Sequence, residues 1–452
     1  MSIPVTASWL NSGTVKVTVI GLGYLGATHA VAMAKLGHDV LGIEPDEKKL
    51  SALAAGILPF HEPGLDKALQ EVIAQGDIQF ASQHDQRTTE AELHFICVGT
   101  PQKAGSEAAD TTYVFSAAKE LARWISKDAV VAGKSTVPVG TAMALQAEMS
   151  KVAGFEVNLA WNPEFLREGT ALEDSLNPDR IVVGTWNQRS AQVLRDVYKP
   201  ITDTGTPFLE LDVPTAELVK VSANAFLATK ISFINAMAEI AEVSGADTVA
   251  LAKAIGYDER IGNKFLRTGI GFGGGCLPKD IRGFVARAEE LGVGSAVEFL
   301  KDIDAINLRR RDRVVELAHR ELGNVAGKKI TMLGISFKPD SDDLRDSPAL
   351  EISQRLVVNG AHVVVHDPVA LAALKIRDGS LEVNEDVFEA LAGADLVILG
   401  TEWRDYKELD PKRVADLVKV KTVIDGRNVL DVASWQAAGF RVLALGRNIL
   451  NG

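Results

Sequence analysis

The chain has 452 residues, more than one hydrophobic core usually supports, so we expect two or three domains. Hydrophobic residues make up 46% of the chain and charged residues 24%, which excludes wholesale disorder. Acidic residues outnumber basic ones by 60 to 48, for a net charge of −12. This balance argues against a general nucleic-acid-binding or membrane-binding protein.

The cysteine content is low. The sequence contains two cysteines, Cys97 and Cys276, so neither a disulfide scaffold nor a cysteine-rich metal site is expected. The eight histidines have no metal-binding spacing, and we expect no metal. Residues 1–14 have the composition of a loose lead-in, without the pattern of a secretory signal, and no apolar stretch approaches a membrane span. We therefore expect a soluble, cytoplasmic protein.

The first domain begins with a predicted strand at residues 15–20, which are largely β-branched and apolar. An alanine-rich helix is predicted at 27–36, and a second strand at 38–43 ends at Glu44. Further strands are predicted at residues 93–98, 129–132, 157–161 and 180–183. Strands and helices that alternate at this spacing are typical of a doubly wound α/β sheet, of the Rossmann type.

A glycine motif lies between the first strand and the first helix. Gly21-Leu22-Gly23-Tyr24-Leu25-Gly26 has the form GxGxxG, in which the backbone and the helix N-terminus receive a pyrophosphate. Glu44, at the end of the second strand, can accept hydrogen bonds from the adenosine ribose and would repel a 2′-phosphate. The combination predicts NAD rather than NADP.

The middle of the chain changes to a helical pattern from residue 214 to about residue 320. Residues 328–334, 361–368 and 394–401 then repeat the strand patterns of the first domain, without a second GxGxxG. We predict two Rossmann-like domains joined by a central helical domain, with bounds 1–212, 213–322 and 323–452.

The segment 269–280 is unusually rich in glycine and contains Cys276. Pro278 suits the first turn of a helix, which would place Cys276 at the helix N-terminus, where the dipole favours a thiolate. Asp280 could then face the same way as Cys276. By contrast, Cys97 falls in a predicted core strand and is interpreted as a buried thiol.

Lys220 and Asn224 are candidate groups that lie one turn apart on the predicted central helix.

Other candidate groups follow predicted strands. Glu164 and Glu168 are candidate acid and base groups, although either could equally cap a helix or form an ion pair. Further candidates are hydroxyl donors within 135–141 and the cations Lys338, Arg345 and Arg427 in the repeated domain.

Taken together, these segments resemble the UDP-glucose 6-dehydrogenase family, within the UDP-glucose/GDP-mannose dehydrogenases. The matching segments occur in order and span nearly the whole chain. They are Gly21–Gly26, Glu62–Leu65, Cys97–Pro101, Ser135–Thr141, Asn162–Gly169, Lys220–Asn224, Gly271–Asp280, Phe337-Lys338 and Asp425–Arg427.

The resemblance implies a four-electron oxidation of a nucleotide sugar with two NAD+. It assigns the covalent thiohemiacetal and thioester to Cys276, oxyanion binding to Lys220 and Asn224, and proton transfer to Asp280. Glu164 would serve thioester hydrolysis and Thr136 would position the water.

The resemblance also implies binding residues. The cofactor set comprises Gly21, Gly23, Tyr24, Leu25, Gly26, Glu44, Val98, Gly99, Thr100, Thr136, Glu168, Lys279 and Arg345. The sugar-nucleotide set comprises Glu164, Phe165, Leu166, Lys220, Asn224, Arg260, Lys264, Phe272, Gly273, Phe337, Lys338 and Arg427. Arg260 would reach the substrate of a neighbouring subunit, which implies at least a homodimer formed through the central helices.

Two positions depart from the family pattern: Gly275 stands where serine is common, and Glu44 replaces a more frequent aspartate. The alternative substrates are GDP-mannose and UDP-N-acetylhexosamines. A β-hydroxyacid dehydrogenase would explain neither the third domain nor Cys276. A non-enzymatic NAD- and nucleotide-sugar-binding regulator would bind its ligands without turnover.

Overall fold

The computed structural model describes residues 14–447, whose contacts divide them into two compact units. The first unit ends at Ser222 and the second begins at Ala223. Except for Thr14, the lead-in predicted at residues 1–14 lies outside the described residues, as do residues 448–452. The three-domain bounds remain a prediction.

The first unit is built on an eight-stranded sheet with the order β3-β2-β1-β4-β5-β6-β7-β8. The strands are β1 (Lys16–Ile20), β2 (Asp39–Ile43), β3 (Ile78–Ala81), β4 (Leu93–Ile96), β5 (Val130–Gly133), β6 (Asn158–Trp161), β7 (Ile181–Thr185) and β8 (Phe208–Leu211). Val17 and Val19 pack in one hydrophobic cluster and Ile20 in another, so the sheet is covered on two faces. This explains why its strands are continuously apolar.

Helices connect these strands. They are α1 (Tyr24–Lys35), α2 (Glu47–Ala54), α3 (Leu65–Gln75), α4 (Gln86–Glu90), α5 (Thr112–Leu121), α6 (Thr141–Ala153), α7 (Ala171–Leu176), α8 (Gln188–Val197) and α9 (Lys199–Thr202). Helix α1 begins at Tyr24, three residues before the predicted start, because the last three residues of the glycine motif are already helical. The predicted doubly wound sheet is confirmed.

One strand pair differs from the parallel pattern. Strands β6 and β7 pair antiparallel, with Ala160 opposite Thr185, while the other neighbours in this sheet are parallel. The connection between β6 and β7 contains only the short α7, so the chain returns without crossing the sheet.

A long helix, α10 (Val213–Ser244), contributes residues to the end of the first unit and the start of the second. In the second unit it packs through Ala225 and Ala228 against Ile281 and Ile303. It confirms the predicted change to a helical pattern after residue 214.

The second unit contains a six-stranded parallel sheet with the order β11-β10-β9-β12-β13-β14. Its strands are β9 (Lys329–Leu333), β10 (His362–His366), β11 (Glu382–Val383), β12 (Leu396–Leu399), β13 (Thr422–Asp425) and β14 (Arg441–Ala444). This order repeats that of the first six strands, β3-β2-β1-β4-β5-β6, which confirms the predicted internal repeat.

Helices of the second unit precede and cover this sheet. They are α11 (Thr248–Gly256), α12 (Leu277–Glu290), a 3₁₀ helix (Gly294–Val297), α13 (Phe299–Leu322), α14 (Pro348–Val358), α15 (Leu371–Arg377), α16 (Val387–Leu391), α17 (Arg404–Lys407), α18 (Pro411–Leu417) and α19 (Val432–Ala437). Within residues 14–447, no helix is long and apolar enough to cross a membrane.

Candidate active site

The glycine motif forms a tight turn at the carboxyl end of β1. Gly21 has φ +84°, and a Cβ atom on Gly26 would lie 1.8 Å from the carbonyl oxygen of Gly21. Helix α1 therefore packs directly on the turn, with Gly23 as its N-cap. The backbone N–H groups of its first turn have no intrahelical acceptors, which is the arrangement that receives a pyrophosphate.

Glu44 lies beside this turn. Its carboxylate accepts hydrogen bonds from the backbone N–H of Leu22 at 3.0 Å and of Asp46 at 3.1 Å, and the residue is 6% exposed. The remaining lone pairs of the two oxygens can accept ribose hydroxyls. The structure thus brings Glu44 and the GxGxxG turn together.

Two loops at the ends of β4 and β5 join the turn. A Cβ on Gly21 would lie 3.0 Å from Val98, so Val98 packs against the glycine motif. The hydroxyl of Ser135 donates to the Val98 carbonyl at 2.5 Å, and that of Thr100 donates to the Thr136 carbonyl at 2.7 Å. Val98–Thr100 and Thr136 therefore meet at the carboxyl edge of the sheet, where ligands of such sheets bind.

Tyr24 contacts a buried carboxylate that the sequence analysis gave no role. Its hydroxyl donates to Glu62, which also accepts from the backbone N–H of Gly169 at 2.6 Å and of Ala171 at 2.7 Å. Burial, aided by the bond to Glu62, raises the pKa of the Tyr24 hydroxyl well above its usual range. Glu62 thus fixes the segment that carries Glu168 next to the dinucleotide turn.

A buried ion pair follows β6. Glu164 Oε1 lies 3.0 Å from Lys220 Nζ, and the two side chains are 12% and 7% exposed. The other carboxylate oxygen of Glu164 accepts from the Leu166 N–H at 2.8 Å. Phe165 packs beside the pair, with the Arg180 guanidinium 3.8 Å from its ring centroid and Lys220 Nζ at 5.5 Å. Lys220 is therefore a buried lysine rather than a solvated residue on the helix surface.

Glu217, one turn before Lys220, also lacked a predicted role. Its carboxylate accepts from the backbone N–H of Gly140 and of Ala142, each at 2.7 Å, at the start of α6. These two hydrogen bonds connect α10, which carries Lys220, to the loop that contains Thr136. No local sequence signal identifies this role, because the partners of Glu217 are backbone N–H groups 77 and 75 residues away along the chain.

In the second unit, Cys276 is the N-cap of α12 and is exposed, with Pro278 in the first turn. The predicted position at a helix N-terminus is confirmed. Asp280, in the same turn, is buried, and its carboxylate accepts from the Asn224 amide at 2.6 Å and pairs with the Lys279 ammonium at 2.5 Å. Asn224 thus joins Lys279 and Asp280, which closely follow Cys276 in sequence, in one polar cluster.

Hydrogen bonds and close packing with neighbouring protein groups fix the glycine loop before Cys276. The side-chain amide of Asn307 accepts from the Phe272 N–H at 2.7 Å and donates to the Phe272 carbonyl at 3.0 Å. A Cβ on Gly271 would lie 2.5 Å from Asn307, and one on Gly273 would lie 2.2 Å from the carbonyl oxygen of Asp346. Close packing of protein groups therefore requires glycine at these two positions.

Arg427 and Arg345 contact the same loop. Arg427 donates to the carbonyl oxygens of Gly271 at 3.2 Å, Phe337 at 3.1 Å and Gly400 at 2.7 Å. A Cβ on Gly275 would lie 2.2 Å from the Arg345 guanidinium, so this arginine fills the space that a serine side chain would need. The structure therefore places Phe337, Arg345 and Arg427 around the cysteine loop.

Two predicted substrate residues do not join this group. Arg260 is exposed and pairs with Asp258 at 2.6 Å, and Lys264 is also exposed. The other thiol, Cys97, is buried in the sheet core, and burial raises its pKa to about 12. Across residues 14–447, no group of three or more His, Cys, Asp or Glu side chains is placed to hold a metal ion.

Comparison with known proteins agrees with this geometry. Three domains of the UDP-glucose/GDP-mannose dehydrogenase family match in chain order: the NAD binding domain over residues 15–202, the central domain over 214–309 and the UDP binding domain over 331–432.

Individual relatives match over nearly the full length. A UDP-glucose 6-dehydrogenase of Bacillus subtilis is 38% identical over 434 residues, covering 95% of this chain and 97% of the relative. One from Rhizobium meliloti is 39% identical, covering 96% and 99%. The structure of a UDP-glucose dehydrogenase from the archaeon Pyrobaculum islandicum has a TM-score of 0.89 at 36% identity, covering 97% of this chain and 99% of that one. The chain belongs to the UDP-glucose/GDP-mannose dehydrogenase family and carries its NAD binding domain.

Proposed function

We propose that the chain oxidises UDP-glucose to UDP-glucuronate, a four-electron reaction that uses two NAD+ per sugar. The observation that carries this proposal is the presence, in one chain, of a dinucleotide turn and an exposed cysteine at the N-terminus of α12. An alcohol dehydrogenase that stops at the aldehyde needs no nucleophile, whereas oxidation to an acid uses one. Relatives at 38–39% identity that bear the name UDP-glucose 6-dehydrogenase support the substrate.

The residues of the first unit fit NAD. Gly26 leaves room for the close approach of α1 to the turn, and Glu44 presents a carboxylate next to it. Bound NAD+ supplies the acceptor for one hydride in each of the two oxidations. We assign to its binding Gly21, Gly23, Tyr24, Leu25, Gly26, Glu44, Val98, Gly99, Thr100, Thr136, Glu168, Lys279 and Arg345.

Cys276 is the proposed nucleophile. After the first oxidation its sulfur bonds to the aldehyde carbon, giving a thiohemiacetal, and the second oxidation leaves a thioester. Its place at the start of α12 favours the thiolate form, because the N-terminal end of a helix dipole attracts negative charge.

Lys220 and Asn224 are proposed to hold the oxyanion of the reacting carbon. Each presents an N–H donor from α10, one turn apart. Asp280 is proposed to transfer protons, and its contacts with Asn224 and Lys279 fix its orientation.

Glu164 is proposed as the base for hydrolysis, with Thr136 positioning the water. The water oxygen bonds to the acyl carbon and the bond from that carbon to Cys276 Sγ breaks. The proton that Glu164 takes from water then returns to the thiolate. Glu164 is held for this task by the Lys220 ammonium and the Leu166 N–H.

The residues proposed to bind the sugar nucleotide are those that the family resemblance implies. They are Glu164, Phe165, Leu166, Lys220, Asn224, Arg260, Lys264, Phe272, Gly273, Phe337, Lys338 and Arg427. The UDP binding domain match over residues 331–432 supports a uridine diphosphate in the second sheet domain.

We also propose a homodimer. Phe226, Phe233 and Ile240 recur at seven-residue intervals on α10 and are 67%, 47% and 56% exposed. Such an apolar stripe on one helix is typical of a protein–protein contact, and a second copy of the chain is the proposed partner. Arg260, exposed beyond α11, would reach the partner's substrate.

The proposed compartment is the cytoplasm. The catalytic role proposed for Cys276 requires a free thiol, and Cys276 is exposed to solvent. A reducing compartment keeps exposed cysteines in that form.

The decisive test measures the NADH formed per sugar consumed, with excess NAD+ and UDP-glucose, GDP-mannose or a UDP-N-acetylhexosamine. We expect two NADH per UDP-glucose. One NADH per sugar would remove Cys276 from the reaction, and turnover with a rival sugar alone would change the substrate. Ligand binding without turnover would indicate a regulator.

A further inference from the structure

A lysine is buried inside the first unit, outside the proposed reacting groups. Lys134 directly follows β5 and is 6% exposed. Its ammonium lies 3.0 Å from Asn162 Oδ1 and 3.3 Å from the Tyr198 hydroxyl, and 5.6 Å from the centroid of the Phe95 ring. These partners are a neutral amide, a phenol and an aromatic ring.

The contact with Asn162 links two loops of the proposed site. Lys134 stands two residues before Thr136, and Asn162 stands two residues before Glu164. Asn162 is itself fixed, because its amide nitrogen donates to the Val182 carbonyl at 2.8 Å. The ammonium therefore joins the loop of the proposed water-positioning residue to the segment of the proposed base.

A charged group is a costly way to make this link. Burial lowers the pKa of Lys134 to about 8; the charge of Glu164 opposes that shift and the charge of Lys220 adds to it. The folded chain thus disfavours an ammonium that the unfolded chain carries freely at neutral pH. An apolar side chain of similar length would fill the site without this cost, so packing does not explain the lysine.

We propose that Lys134 is a positioning residue for thioester hydrolysis, acting through Asn162 on Glu164 and through the adjoining backbone on Thr136. The inference rests on the proposed function, since it presupposes a thioester on Cys276. Groups held in place by such links lose large factors in rate when they shift by about 1 Å.

The test is Lys134→Met, which keeps the length of the side chain and removes its charge. With UDP-glucose and excess NAD+, we expect a burst of two NADH per active site, followed by a steady state about 10- to 100-fold slower than in the unchanged enzyme. Intact-protein mass spectrometry should then show the acyl group accumulating on the chain. The melting temperature at pH 7 should rise, whereas loss of a merely structural residue would lower it.

Three further variants make the outcome decisive. Lys127→Met makes the same change at an exposed lysine before β5 and should leave turnover unchanged. Asn162→Ala removes the same hydrogen bond by changing its acceptor. This variant should accumulate the acyl group even if Lys134→Met fails to fold.

Glu164→Gln separates the two proposals. Accumulation in this variant alone, with normal turnover in Lys134→Met, would overturn the role of Lys134. Accumulation in none of the variants would overturn the assignment of Glu164 and the inference with it.

Discussion

The carboxylate of Glu164 and the ammonium of Lys220 lie 3.0 Å apart and are almost fully removed from solvent. A buried charge left without its partner is strongly destabilising, so each side chain depends on the other. Glu164 is proposed for hydrolysis and Lys220 for binding the oxyanion, so one ion pair orients groups that act at different steps.

We expect Lys220→Met to lower the free energy of unfolding by about 3 kcal/mol, because Glu164 loses its counter-charge in a buried place. The turnover number should fall about 100-fold or more through loss of the oxyanion donor. Thermal unfolding and steady-state kinetics measure the two effects. The double variant Lys220→Met/Glu164→Gln should regain stability but not activity; a double variant no more stable than the single one would contradict the pairing.

Cys276→Ser should retain NAD and UDP-glucose binding but form no more than one NADH per sugar, because a hydroxyl is a weaker nucleophile than a thiolate. Product analysis by chromatography would show uronate absent. Cys97→Ala is the matched control: Cys97 is buried and burial raises its pKa to about 12, so two NADH per sugar should persist. Full uronate yield from Cys276→Ser would disprove the covalent route.

Glu44→Ala should weaken NAD binding about tenfold or more, since hydrogen bonds to charged groups contribute about 1.5–3 kcal/mol. It should also narrow the preference for NAD over NADP, because the carboxylate no longer repels a 2′-phosphate. Calorimetric titration of the two dinucleotides measures both effects. Glu47→Ala, an exposed glutamate three residues on, serves as the control. Unchanged affinity in Glu44→Ala would show that the ribose contact is misassigned.

Phe233→Asp should convert the proposed dimer to a monomer, because it places a charge in the middle of the exposed apolar stripe of α10. Light scattering coupled to gel filtration gives the mass directly. Val358→Asp adds the same charge at a residue that is 86% exposed on α14 and should leave the mass at twice that of the chain. A monomeric unchanged protein would rule out the dimer.

Lys134 predicts a pH dependence of stability. Below pH 8 the lysine is protonated in the folded and the unfolded chain. Burial of the charged ammonium then lowers the stability of the folded chain by about 3 kcal/mol, because the pKa is lowered from 10.5 to about 8. Between pH 8 and 10.5 the folded chain releases the proton first, so this cost disappears as the pH rises. The stability advantage of Lys134→Met should therefore be largest at pH 7 and small at pH 10. An advantage that does not change with pH would refute the assignment.

Local patterns predicted much of the fold. Interactions between neighbours in sequence determine the first strand, the glycine turn and the first helix. They also determine the repeat after residue 328 and the helix start at Cys276. The burial of Lys220 could also be anticipated from its apolar neighbours. Such features follow from periodicity and helix capping, which a single sequence displays.

Long-range pairs could not be predicted in this way. Glu62 contacts Gly169, Glu217 contacts Gly140, and Asn307 contacts Phe272 across long stretches of chain. Each is a buried polar group whose partner is a backbone atom, and backbone atoms carry no residue signature. The antiparallel β6–β7 pair escaped prediction for a related reason, since the direction of a strand depends on the path of its connection.

The glycine loop before Cys276 forms hydrogen bonds with residues that are synthesised much later in the chain. The Ile270 N–H donates to the Gly426 carbonyl at 3.0 Å, and Arg427 donates to Gly271. A chain leaving the ribosome therefore completes the dinucleotide turn long before the loop of Cys276 can form these hydrogen bonds. A chain that ends before Gly426 and Arg427 therefore lacks these contacts to the backbone of the loop that precedes Cys276.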